Sequence, residues 1–211
     1  MAEQEMTRAI EQRTLALIAG TSYLIIFFSA IFANFFVIES LINDPLTTVQ
    51  RNHVYVRAGI LAFMATVVFD VVVAWALYEL YKKDDLSALS TLFRMMHASI
   101  MGVAIFTLPE VLVLNTGEEI LKQVHTFNII WLIGLFFFGT HLILLAKIIA
   151  RPKFIALFLS LAGAMYMVDT AANIALPNYE TYASYFLALV AIPSILGEMS
   201  FSIWLLLKGG K

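Results

Sequence analysis

Six long apolar stretches divide this chain: residues 14–38, 55–81, 87–114, 127–149, 153–175 and 185–207. A hydrocarbon core about 30 Å thick is crossed by about 20 helical residues, so each stretch is long enough to span it. None alternates polar and apolar residues as a barrel strand would. The sequence therefore predicts an all-α membrane protein, a six-transmembrane-helix bundle. Composition leaves little alternative. Of 211 residues, 61% are hydrophobic and 13% charged, where a soluble domain carries about a quarter charged. A chain this short cannot hide that much apolar side chain from water in its own core.

Residues 1–211 read as a single polytopic domain, with no linker, repeat or low-complexity segment. Asp44-Pro45 marks the first connection, and Asp84-Asp85-Leu86-Ser87 offers N-caps to the third helix. Pro152 falls where the fifth begins, and Pro177-Asn178 ends it. Residues 39–54 and 115–126 are long connections, and the second has the makings of a short interfacial helix. The polar N-terminus lacks the features of a cleaved signal peptide, so the first span is expected to stay and direct insertion. Lys and Arg placement sets the direction. Arg8, Arg13, Lys82, Lys83, Lys147, Arg151, Lys153, Lys208 and Lys211 fall on one side, and only Arg51, Arg57 and Lys122 on the other. Both termini are expected in the cytoplasm, with the chain multi-pass in the cell membrane. The net charge of -2 and the lack of a basic run argue against nucleic acid. The absence of cysteine removes thiolate chemistry.

Ionisable side chains within a span are costly and turn inward. Asp70, Arg94, His97, His141 and Glu198 lie at one depth, at about 1.5 Å per residue, in the half nearer the termini. Asp169 belongs to an outer level, with Asn173 and Tyr166 one turn away and Arg57 and Glu110 as neighbours. Arg57 and Asp70 are about 140° apart around their helix, which favours two clusters over one continuous path. On the sixth helix Ser194, Glu198 and Ser202 form a polar stripe, with Pro193 upstream to disturb the backbone. Gly134, Gly139 and Gly197 permit close helix approach.

The plainest reading of Asp70 and Arg94 is a structural ion pair, since a buried arginine keeps its proton and needs a carboxylate. The histidines then serve as interhelical hydrogen-bonding groups. A sharper reading gathers His97, His141, Glu198 and Asp70 into a site for a divalent metal such as zinc, one ligand per helix. No compact ligand motif supports it, and no nucleophile or phosphate-loop motif is present.

The segments YVRAGILAFMATVVFDVVVAWALYELY, LFRMMHASIMGV, FFFGTHLILLAKII, LAGAMYMVDTAANI and PSILGEMSFSIWLLLKG resemble the prokaryotic membrane family known as domain of unknown function 4386. The resemblance runs from about residue 13 to 208. Its matching positions are Arg57, Asp70, Arg94, His141, Asp169 and Glu198. It implies six membrane helices and names no reaction. Taken together, the residues favour a binding role over catalysis: an intramembrane polar cavity for a small or lipid-like hydrophobic ligand. Proton coupling through Glu198 and His141 is the transport variant, and it would call for a homodimer. The alternatives are an intramembrane metal-dependent hydrolase or lipid-modifying enzyme, and a structural or assembly protein held by buried ion pairs.

Overall fold

The computed structural model describes residues 2–150 and 152–210, with side chains from residue 11 onward. Arg151 and Lys211, and the side chain of Arg8, lie outside the described residues. Six helices are long and apolar enough to cross a membrane: Glu11–Asn43, His53–Tyr81, Ser87–Val113, Gly117–Ile149, Lys153–Ala175 and Ala183–Leu207. No strand occurs among the described residues. Large apolar side chains such as Phe28, Leu61, Leu92, Phe106 and Ile174 stand exposed around the outside. That is the surface a lipid solvent requires.

Each helix packs against its neighbours in sequence, and the sixth returns to the first. The result is a ring of helices in chain order, and the last seam is uneven. The first helix packs along Ser200–Leu207 of the sixth but makes little contact above it. Near the termini the seam is pinned by Arg13, which donates from Nη1 to the carbonyls of Leu205 and Gly209 at 2.9 Å and from Nη2 to Leu206. One turn deeper, Ser202 Oγ donates to Gly20 O at 2.9 Å. Arg13 thus supplies partners to carbonyls that the end of a helix leaves unpaired. Arg13→Ala is expected to destabilise the fold by about 1.5–3 kcal/mol, the range for hydrogen bonds to a charged group. Thermal unfolding in detergent measures it.

Two apolar cores stack along the ring. One, at the end holding the termini, draws on the first, second, fourth, fifth and sixth helices, with Ala16, Leu77, Leu142, Leu159 and Phe201 among its members. The other draws on the first four helices and the connecting helix Pro45–Arg51, through Val37, Val49, Phe63, Leu108 and Phe127. The fifth and sixth helices take no part in the second core. In the half away from the termini the sixth helix leans mainly on the fifth.

Three local features depart from the sequence expectations. The fourth helix is continuous over Gly117–Ile149, so residues 115–126 contribute no separate interfacial helix. Thr116 caps it by accepting from Glu119 N at 3.3 Å, and the helical repeat carries through the polar residues into the span. The third helix is not capped by an aspartate: Asp84 Oδ1 instead accepts from Leu86 N at 2.9 Å, closing the turn before it. Two segments wind as π-helix, Phe32–Ile38 in the first helix and Ile195–Met199 in the sixth. The second follows Pro193, which removes one rung of the backbone ladder. Such wide turns recur at functional sites.

Candidate functional site

Between the two cores lies a polar layer centred on Arg94. Its guanidinium is buried and donates from Nη2 to Asp70 Oδ1 at 2.5 Å. From Nη1 it reaches Tyr23 Oη at 2.7 Å and His141 Nε2 at 3.2 Å. It also lies 4.8 Å from the Tyr23 ring centre and 5.2 Å from that of Phe138. Coulombic attraction, hydrogen bonding and the ring faces all serve one charge that cannot shed its proton.

The two histidines have different roles. Arginine can only donate, so His141 Nε2 must accept, and the ring proton sits on Nδ1. That nitrogen donates to Ser90 O at 3.0 Å, with Ser90 Oγ at 2.9 Å. His141 is thereby engaged by both nitrogens as a brace between the third and fourth helices. His97 turns the other way. Its Nδ1 donates to Gly134 O at 3.0 Å, and its Nε2 lies 3.5 Å from Asp70 Oδ2. A proton on Nε2 would complete a second ion pair with the same carboxylate.

This arrangement disposes of the four-ligand metal proposal. The guanidinium of Arg94 occupies the space in front of His141 Nε2, and no group of three or more His, Asp or Glu side chains among the described residues is disposed to hold a metal ion. A cation already sits where the metal would be needed.

Beside the ion pair is a cavity of about 260 Å³. Its polar groups are Asp70, Arg94, His97, Tyr166, Ser194 and Glu198, with Asn34 and Thr66 further from the termini. The remaining wall is apolar and aromatic, including Ile26, Phe27, Met101, Trp131, Leu135 and Phe138. Glu198 is half-buried, and its contact is with the Tyr166 hydroxyl, which approaches Oε1 at 3.5 Å. Ser194 Oγ is buried without a hydrogen-bond partner. The lining reaches the surface at Phe35 and Ile195, exposed 58% and 50%. Those two residues belong to the two π-helical segments, on either side of the loose seam between the first and sixth helices. Both lie within helices long and apolar enough to cross a membrane.

The inner cluster read from the sequence is assembled in part. Asp70, Arg94, His97, Glu198 and Ser194 share the cavity wall, while His141 sits behind Arg94 and Ser202 is spent on the first helix. The wide π turn between Ser194 and Ser202 breaks the i, i+4, i+8 stripe. The outer cluster does not form as expected. Tyr166 belongs to the inner site, and Arg57 and Glu110 are exposed. Asp169 accepts from Tyr179 Oη at 2.6 Å, a residue in the loop after the fifth helix that Asn173 also approaches. Burial and the adjacent Asp169 carboxylate both raise the Tyr179 hydroxyl above its ordinary value. Sequence reasoning missed Tyr23, Ser90 and Trp131. Tyr23 could have been found, since a hydroxyl deep in the first span needs a partner as a charge does.

The family whose sequence model matches the chain is described as Domain of unknown function (DUF4386), and the match covers residues 18–209. An uncharacterised protein from Archaeoglobus fulgidus is 28% identical over 159 residues, 72% of this chain and 85% of its own length. No solved structure matches.

Proposed function

We propose that this chain, which belongs to the DUF4386 family, is a multi-pass membrane protein that binds a small amphipathic molecule entering sideways from the bilayer. The observation that carries this reading is the cavity: apolar for most of its wall, with a few convergent polar groups, and lined by the exposed Phe35 of the first helix and Ile195 of the sixth. An apolar pocket with a few convergent polar groups is the usual form of a small-molecule site. Its volume of about 260 Å³ exceeds the roughly 150 Å³ that accepts a benzene ring in an apolar core. The polar side would meet a headgroup and the aromatic wall a short chain. The Lys and Arg excess near the termini supports a cytoplasmic location for that end, in the cell membrane.

The test uses decanol and native mass spectrometry of the detergent-solubilised protein. One bound molecule per chain is expected. Ala191→Trp, which fills the mouth from the sixth helix, is expected to raise the concentration for half-occupancy by about tenfold or more. Equal occupancy in the two proteins would remove the cavity as the site.

A further inference from the structure

We infer that the molecule this cavity selects is an organic monocation with an apolar chain, held by Glu198 and by aromatic faces. The inference rests on the cavity reading above and adds the charge of the ligand. It begins with what the wall has left unpaired. Arg94 is 1% exposed. Its two Nη atoms are engaged by Asp70, Tyr23 and His141. Both Nη atoms are thus taken, and the guanidinium's Nε, without a partner among the described residues, is itself buried. Asp70 in turn has Arg94 on Oδ1 and His97 near Oδ2. Those partners neutralise one another.

Glu198 is different. Its one hydrogen bond among the described residues is the long contact from Tyr166, at 3.5 Å, and the neighbouring Ser194 Oγ is buried and unpartnered. With Asp70 and Arg94 cancelling and His97 neutral, Glu198 leaves the wall one negative charge in excess whenever it is ionised. Of the other titratable groups on the wall, His97 turns its Nε2 toward Asp70 rather than Glu198, Tyr23 accepts from Arg94, and Tyr166 approaches Glu198.

The rings supply the second half of the recognition. Arg94 already uses Tyr23 and Phe138 in this way, at 4.8 and 5.2 Å from the ring centres. Phe27, Trp131 and Tyr166 remain on the same wall, and tryptophan is the strongest partner for a cation. A carboxylate that shares a cavity wall with aromatic side chains suits an ammonium group. It disfavours a carboxylate or phosphate, which would meet Glu198 without a free counter-charge.

Three probes of equal chain length separate the possibilities: decyltrimethylammonium, decanol and decanoate, titrated into the detergent-solubilised protein with occupancy read by native mass spectrometry. Decyltrimethylammonium is expected to half-fill the site at a concentration about tenfold or more below that of decanoate. Glu198→Gln is expected to bring the two within about threefold, with thermal unfolding in detergent showing that the variant is folded. Equal midpoints for cation and anion in the unaltered protein, or a preference for decanoate, would overturn the inference without touching the cavity. A cation preference that survives Glu198→Gln would overturn the role of Glu198. Failure of decanol to bind the unaltered protein would instead bring down the cavity reading itself.

Discussion

Asp70→Ala is expected to destabilise the protein by about 3–5 kcal/mol, the range for stripping one partner from a buried ion pair. The substitution strands a guanidinium that is 1% exposed and leaves Tyr23 and His141 as its only Nη partners. Neither carries a counter-charge. Arginine cannot answer by losing its proton, so the penalty falls on the fold, relieved only as far as Glu198 on the same wall supplies a counter-charge. Arg94→Met is expected to cost clearly less, although it removes a larger side chain. The abandoned Asp70 still faces His97 Nε2 at 3.5 Å, and a carboxylate can take up a proton. Combining Asp70→Ala with Arg94→Met is expected to recover much of the loss, because no charge is then stranded. Thermal unfolding in detergent gives all three values as one double-mutant cycle. Additive losses, or an Arg94→Met variant as unstable as Asp70→Ala, would show that the pair is not the unit that matters.

Much of this architecture is legible in the sequence, for a physical reason. The bilayer sets the length of a span, so apolar runs announce their helices directly. Charges within a run are rare enough that Asp70, Arg94, His97 and Glu198 stand out, and counting residues along each helix puts them at one depth. What counting cannot supply is rotation and neighbour order. His141 shares the depth, yet it turns its Nε2 toward Arg94 and its Nδ1 toward Ser90. Tyr166 was placed with Asp169 by chain proximity, but they lie on different faces: one reaches Glu198 and the other Tyr179. The π-helical turns leave no clear mark on composition. They defeat any argument from a constant rise and a constant 100° step, which is why Ser194 and Ser202 part company. The cavity is a consequence of the same features. It forms where the first and sixth helices stop touching, and no local signal reports that two distant segments fail to meet.

Gly139→Val is expected to be as damaging as Asp70→Ala for an entirely different reason. Gly139 on the fourth helix and Gly163 on the fifth face one another backbone to backbone. A Cβ on either would overlap the other's carbonyl oxygen. Close backbone approach is how membrane helices gain contact when lipid and side chain are equally apolar. A flexible side chain could yield, but a backbone carbonyl cannot, so the two helices must separate. Overpacking a tight core costs about 1–3 kcal/mol even where side chains can adjust, and this site lies at the upper end or beyond. Gly134, one helical stretch earlier, provides the control. Its added Cβ would meet Met101 Sδ at 3.0 Å and His97 Nδ1 at 3.4 Å, side-chain atoms that can move. Gly134→Ala is therefore expected to cost much less than Gly139→Val. The comparison also bears on the cavity. Phe138 and Tyr166 meet across this same helix pair, with ring centres 5.6 Å apart, and both line the cavity. Spreading the pair should displace these two rings, so a folded Gly139→Val protein is expected to bind decyltrimethylammonium more weakly than the unaltered protein. Unfolding midpoints and probe occupancy on the two glycine variants measure both effects. Equal destabilisation by Gly134→Ala and Gly139→Val would mean that the glycine crossing does not set the geometry of the site.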